Sequence, residues 1–121
     1  MPNDLLDLWQ AGVAAVRGDA AVRAVLPDLA SAPDRVLAVG KAACDMARPA
    51  IEHFPAVPVL VVTKHGHGLD MPGPATVMEA GHPIPDAASL EAGAALAQSV
   101  AECAAGDHLL LLISGGASSL A

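Results

Sequence analysis

A chain of 121 residues fits one domain, and a composition that is 54% hydrophobic and 16% charged favours a packed core over disorder. Aromatic residues make up 2% of the chain, so the core must be built mainly from alanine, valine, leucine and methionine. The formal net charge of −7 argues against a nucleic-acid partner, because binding to a phosphate backbone needs a face rich in lysine and arginine.

Two helices are predicted ahead of the first strand. Asn3 or Asp4 can cap a helix that runs to about Arg17, with apolar side chains near one face at helical spacing. A shorter helix begins at Asp19 and closes before Pro27, because proline cannot continue it.

The chain carries no targeting or membrane signal. Its first ten residues hold two aspartates and no basic segment, so no signal peptide is predicted. No apolar stretch reaches the roughly 18 residues that a bilayer span requires. We therefore expect a cytoplasmic protein without a membrane partner.

Short apolar runs without alternation predict strands that are buried on both faces, and hence a parallel sheet. These runs cover residues 35–39, 59–63 and 108–113, and a weaker strand is predicted at 76–80. The element order α-α-β-α-β-β-α-β favours an α/β fold, with a layered, mostly parallel sheet and helices on both faces.

Two further helices are predicted between the strands. One begins at about Ala42, and Pro49 should kink it or break it near Arg48, because the proline ring clashes with an earlier carbonyl. The other is capped by Asp86 and ends at about residue 105. Its apolar stripe consists of Leu90, Ala94, Ala97, Ala101 and Ala104.

Small polar turns that contain glycine follow three of the strands. Gly40 and Lys41 come after the first strand, Lys64 after the second, and residues 114–119 after the last. Ligands of open parallel sheets bind beyond the carboxyl ends of the strands. Because both lysines of the chain lie at such ends, we expect a small anionic ligand.

The Gly/Ser turn at residues 114–119 is the strongest single signal for such a ligand. Gly115 and Gly116 let the backbone approach a phosphate, and Ser114, Ser118 and Ser119 add hydroxyl donors. An ordinary surface turn is the alternative interpretation.

The histidines allow both structural and ligand-binding roles. His65 and His67 share a loop without a third ligand, so we expect them to contact an anion or to order the loop, and no metal site is predicted. His82 either makes a structural hydrogen bond or lines the cleft. Asp45 and Glu79 have no partner in the sequence, which favours solvated or capping roles over roles as bases or Mg²⁺ ligands.

The two cysteines, Cys44 and Cys103, lie far apart in different predicted helices. Two buried free thiols in a reducing compartment are expected, and a zinc site is not.

Taken together, four segments resemble one enzyme family. They are residues 39–43, 63–67, 79–86 and 112–118, with the sequences VGKAA, TKHGH, EAGHPIPD and LISGGAS. Their order and spacing resemble the amino-terminal part of the bacterial and archaeal type of glycerate 2-kinase, a family often labelled hydroxypyruvate reductase. The likeness extends from about Leu5 to the last residue. At Ala117 the family usually has a third glycine.

The resemblance implies a Rossmann-like domain, a second carboxyl-terminal domain, and an active site in the cleft between them. It implies ATP and Mg²⁺ as cofactors, and phosphorylation of D-glycerate to 2-phosphoglycerate. The resemblance also implies that Lys41 acts on the transferring phosphoryl group. The expected nucleotide-binding or substrate-binding residues are Gly40, Lys64, His65, His82, Ser114, Gly115, Gly116, Ser118 and Ser119.

The sequence stops directly after the last Gly/Ser turn, where a doubly wound unit continues into a covering helix. We therefore expect residues 1–121 to be the amino-terminal portion of a longer enzyme and to be inactive alone. Homo-oligomer formation stays open. The rival interpretations are a nicotinamide-dependent hydroxypyruvate reductase and a non-catalytic sugar-phosphate binding module.

Overall fold

A computed structural model of the chain describes residues 4–121, so Asn3, one of the two predicted cap residues, lies outside the described part. The helices are α1 (Asp4–Ala15), α2 (Gly18–Val25), α3 (Ala43–His53), α4 (Ala87–Ala101) and α5 (Ala117–Leu120). A single 3₁₀ turn follows α2 at Leu26–Asp28. The strands are β1 (Arg35–Val39), β2 (Val59–Lys64), β3 (Ala75–Ala80) and β4 (Leu109–Ile113).

The four strands form one parallel sheet in the order β3-β2-β1-β4, which confirms the predicted α/β class. Val39 at the end of β1 is in register with Val62 of β2 and with Ile113 of β4. The carboxyl ends of the four strands therefore meet along one edge of the sheet, which we call the rim.

Helices cover both faces of the sheet. On one face, α2 and α3 pack against side chains such as Val36, Ala38 and Val61. On the other face, α4 and α5 enclose a smaller cluster around Val62 and Leu120. Three alanines of α3, at positions 43, 47 and 50, are fully buried, so this helix approaches the sheet through methyl groups.

Helix α3 runs from Ala43 to His53 with Pro49 inside it, so of the two outcomes predicted for Pro49, a kink or a break near Arg48, the break is wrong. Proline removes one intrahelical donor and disfavours a helix interior. Here the buried apolar face outweighs that cost, since Pro49, Ala50 and Ile51 all lie in the core.

Helix α4 buries a different face from the predicted apolar stripe. Its buried residues are Ser89, Ala92 and Ser99, whereas Leu90 is 79% exposed. The two buried serines are hydrogen-bonded, Ser89 within the capping box and Ser99 to the guanidinium of Arg35 at 3.0 Å. Burying a hydroxyl that has a hydrogen-bond partner costs little free energy. Hydrophobicity alone therefore predicted the wrong buried face for α4.

Helix α1 exposes its apolar side, with Leu5 83%, Leu8 68% and Trp9 64% exposed. The helix was predicted and is present, but none of its residues is buried. Among residues 4–121, every helix is too short or too polar to cross a lipid bilayer.

Candidate functional site

The first residue of the rim is Gly40, a buried glycine after β1 that contacts both β2 and the turn after β4. The Gly40 amide donates to the carbonyl of Val62 at 3.0 Å, and its own carbonyl accepts the buried Thr63 hydroxyl at 2.9 Å. Its φ is +132°, and a Cβ at this position would lie 2.6 Å from the Ser114 carbonyl oxygen. Only glycine fits there, because the backbone of β4 turns directly against it.

Lys41 follows Gly40 with its backbone fixed and its side chain exposed. Its amide donates to the carbonyl of Gly115 at 2.9 Å, while the Ala42 amide donates to Ser114 Oγ at 3.1 Å. The amide of Ala43 donates to Gly40. These amides are therefore already used, and the group that this turn offers to an anion is the lysine ammonium.

The Gly115–Gly116 turn lies beside the stem of Lys41. A Cβ built on Gly115 would lie 3.7 Å from Lys41 Cε, and one built on Gly116 would lie 3.4 Å from Lys41 Cγ. Among residues 4–121, neither glycine amide donates to a protein acceptor. Lys41 and two free amides thus share one stretch of the rim, as a bound anion would require.

The loop after β2 is held in place by a carboxylate on β3. Glu79 Oε2 accepts the amides of Gly66 and Gly68 at 3.1 and 2.7 Å. The ring of His67 lies beside the turn after β1, with Nδ1 3.3 Å from the Lys41 carbonyl oxygen. Glu79 is consequently engaged with the loop rather than free to act as a base.

Asp86 joins β3, α4 and the loop after β2. Its carboxylate accepts the amides of Gly81 and Ser89 at 3.1 and 3.0 Å, and lies 2.8 Å from His65 Nε2. The hydrogen bond from His65, and those from Ser89 and Gly81, lower the pKa of Asp86 to about 2, although desolvation opposes them. The predicted helix cap is confirmed, and it also orders the rim.

This pKa shift makes acid stability a test of the Asp86 contacts. A folded-state pKa below the unfolded value means that the carboxylate stabilises the fold above about pH 4 and loses that contribution as the pH falls toward about 2. Replacing Asp86 with asparagine keeps a good cap and removes the titration. We expect the difference in melting temperature between wild type and Asp86→Asn to shrink from pH 5 to pH 2. A difference independent of pH would contradict the assignment.

His82 packs its ring against Gly116. A Cβ on Gly116 would lie 2.8 Å from His82 Nε2, so the ring occupies the space that a side chain would need. His82 Nδ1 is buried and has no hydrogen-bond partner among the described residues. Desolvation, together with the charges of Lys41, Lys64 and His67, lowers the pKa of His82. The imidazole is therefore neutral at neutral pH.

The structure brings most of the sequence-predicted site residues to the rim. Lys64 is the last residue of β2, whereas the other predicted residues follow a strand: Gly40 and Lys41 after β1, His65 after β2, His82 after β3, and Ser114, Gly115 and Gly116 after β4. Ser119 lies in α5 with its hydroxyl on the Gly116 carbonyl at 3.1 Å, and Ser118 is exposed on the same helix. Ser114 and Ser119 thus stabilise the turn with hydroxyls that already have protein partners.

Three residues that the predicted binding set omits also organise the rim. Thr63 couples β2 to Gly40, Glu79 holds the loop amides, and His67 contacts the backbone of Lys41. The sequence indicated an anion-contacting or loop-ordering role for His67, whereas Thr63 and Glu79 were marked only by their place near strand ends and in the segments that carry the family resemblance.

Cations and carboxylates lie near one another at the rim. Within the described residues, Arg17, Arg23 and Arg35 pair with carboxylates, whereas Lys41 and Lys64 form no ion pair. The two nearby carboxylates, Glu79 and Asp86, are hydrogen-bonded to amides and, in the case of Asp86, to His65. The ammonium of Lys41 is therefore left without a carboxylate partner in a chain of net charge −7.

Comparisons with known proteins give the chain a family. A family model described as a domain of unknown function, DUF4147, matches residues 4–121. A glycerate 2-kinase of Pyrococcus horikoshii is 44% identical over 70% of the chain, and a D-glycerate 2-kinase of Thermotoga maritima is 37% identical over 95% of it. A protein of Agrobacterium vitis named putative hydroxypyruvate reductase is 35% identical over 84% of the chain.

A solved structure has a fold similar to that of this chain. The crystal structure of a glycerate kinase from Thermotoga maritima superimposes with a TM-score of 0.89 at 35% identity, over 96% of this chain and 28% of that one. The chain likewise spans 19%, 28% and 26% of the lengths of the three sequence relatives.

Proposed function

Since the chain belongs to the DUF4147 family, we propose that the natural protein containing it catalyses ATP-dependent phosphorylation of D-glycerate to 2-phosphoglycerate. The chain would form the amino-terminal portion of a Rossmann-like kinase domain, with a second domain completing the cleft. Relatives and a structural neighbour that carry the name glycerate kinase support this assignment.

One observation of the rim carries the proposal. The side chain of Lys41 lies against Gly115 and Gly116, whose amides have no acceptor among residues 4–121. Phosphoryl transfer depends on positioning and on stabilising charge, with little covalent work for the protein. An ammonium beside two free amides supplies both for a terminal phosphoryl group.

The chemistry assigns a separate role to each group. The 2-hydroxyl oxygen of glycerate forms a bond to the γ-phosphorus, the bond to the bridging oxygen of ADP breaks, and the hydroxyl proton is released. Lys41 stabilises the negative charge on the transferring phosphoryl oxygens. The amides of Gly115 and Gly116 hold the phosphate, and the neutral His82 packs against Gly116 and fixes the turn.

Mg²⁺ enters this proposal bound to ATP. Residues 4–121 contain no group of three or more histidine, cysteine, aspartate or glutamate side chains placed to hold a metal. Glu79 and Asp86, the carboxylates at the rim, already accept amide protons.

The main rival is a nicotinamide-dependent hydroxypyruvate reductase, a name that one of the relatives carries. The turn after β1 does not favour it, because a dinucleotide fingerprint needs three glycines there and this turn has Gly40 alone. The amides of Lys41 and Ala42 are also occupied by Gly115 and Ser114, so they are not available to a pyrophosphate.

An assay of the natural protein separates the two activities. We expect ADP release that depends on D-glycerate, with phosphorus NMR showing the phosphate on carbon 2, and no NADH consumption with hydroxypyruvate. NADH oxidation without ADP release would overturn the kinase in favour of the reductase. Tight binding of a hexose phosphate in calorimetry, without ATP turnover, would instead support a binding module.

A further inference from the structure

A cleft opens beside Lys41. It has a volume of about 260 Å³ and lies between the start of α3 and the loop after β2. Lys41, Ala42, Cys44, Asp45, His67 and Leu69 line it. Pockets for drug-sized ligands begin at about 300 Å³, so this cleft suits a molecule smaller than a nucleotide.

The cleft offers both a donor and acceptors. Lys41 can donate, and Asp45 can accept. Because a carbonyl oxygen only accepts, His67 Nδ1 must donate to Lys41, which leaves Nε2 as the free, accepting nitrogen of a singly protonated ring. Asp45 forms no hydrogen bond or ion pair among the described residues, so its acceptor capacity is unused.

The remaining walls are apolar. Ala42 and Leu69 contribute carbon surface, and burial raises the pKa of the Cys44 thiol, which therefore stays protonated. A protonated, buried thiol behaves as part of an apolar wall rather than as a nucleophile.

We infer that this cleft is the subsite for the hydroxy acid, with Lys41 holding its carboxylate and with Asp45 and His67 Nε2 accepting from its hydroxyl groups. The inference rests on the proposed kinase function and adds specificity residues to it. A free phosphate is a poor fit because Asp45 would repel it, whereas a hydroxy acid supplies both an anion and a donor. Lys41 then forms a shared wall between this subsite and the Gly115–Gly116 turn, where the phosphate of ATP is proposed to bind.

Calorimetry on the natural protein, with a non-hydrolysable ATP analogue present, tests the subsite without turnover. We expect Asp45→Asn to weaken D-glycerate binding by about tenfold or more, the range for losing a hydrogen bond to a charged group. His67→Ala should weaken it by about two- to tenfold, the range for a hydrogen bond between neutral groups. The affinity for the ATP analogue should change by less than about twofold. Leu69→Trp, which fills the cleft without changing its charge, should abolish D-glycerate binding.

Two controls sharpen the result. Glu91→Gln removes an exposed carboxylate from α4, away from the cleft, and should leave both affinities unchanged. Glyceramide keeps the hydroxyl groups but lacks the carboxylate, so it should bind weakly to the wild type, and His67→Ala should weaken its binding further.

Wild-type affinity for D-glycerate in the Asp45, His67 and Leu69 variants would overturn the subsite. A loss of ATP-analogue affinity with D-glycerate binding intact would overturn it too, since the cleft would then serve the nucleotide. Failure of the kinase assignment is visible separately, because it removes D-glycerate-dependent ADP release in the wild type whatever these variants do.

Discussion

Replacing Lys41 with methionine is expected to lower turnover of the natural protein by about 10²- to 10³-fold at saturating ATP and D-glycerate. That is the typical effect of removing one preorganised group that stabilises charge in the transition state. Methionine keeps an unbranched stem of similar length, so the contacts with Gly115 and Gly116 persist while the ammonium is lost. The measurement is the rate of ADP release, with product identified by phosphorus NMR.

Arg23→Met is the matched control for this variant. Arg23 pairs with Glu52 near the end of α3, at the opposite end of the sheet from the rim, and both side chains are about half exposed. An exposed ion pair contributes at most about 1 kcal/mol to stability, so activity should be unchanged. A Lys41→Met rate within about threefold of wild type would remove the proposed role of the lysine.

Gly40→Ala is expected to cost about 3 kcal/mol or more of the free energy of unfolding. The residue is held at a φ of +132°, and the new Cβ would lie 2.6 Å from a backbone carbonyl oxygen of Ser114. Strained backbone costs about 1 to 3 kcal/mol, and the steric clash adds to this because Ser114 is itself fixed by hydrogen bonds. Denaturant unfolding of wild type and variant gives the difference.

Gly106→Ala separates the two components of that cost. Gly106 has a φ of +95°, but a Cβ there would meet nothing within 4 Å. Its substitution should cost only about 1 kcal/mol, the conformational part alone. Equal destabilisation by the two variants would show that the contact with Ser114 contributes nothing.

The strand pattern was predictable because each run is apolar on both faces, as in a covered parallel sheet. The expected burial of both faces is wrong for β4, where Leu111 and Ile113 are 55% and 65% exposed. The same hydrophobic logic failed for α4, where Ser89 and Ser99 are buried and Leu90 is exposed. Whether a hydroxyl is buried depends on partners such as Asp86 and Arg35, and sequence spacing does not reveal them. In α3 the break predicted at Pro49 is absent, and the burial of this proline was not apparent from local propensity.

The site was predictable to the level of the rim but not to the level of its hydrogen bonds. The rule that ligands bind at strand ends brought Lys41 and the Gly115–Gly116 turn together on one edge. Which amides stay free was not predictable, because Ser114 and Gly115 occupy those of Ala42 and Lys41 only in the observed register. The role of Glu79 likewise depends on its pairing with Thr63 across β2 and β3.

The alanine face of α3 has a consequence for the height of the helix above the sheet. With small side chains such as Ala43 and Ala47 facing the sheet, the helix starts close enough to the strand ends for the amide of Ala42, just ahead of it, to donate to Ser114 Oγ in the turn after β4. A bulkier side chain at position 47 would lift this end of the helix and draw the lysine away from the glycines. The buried methyl group of Ala47 therefore sets the spacing on which the proposed phosphate contact depends.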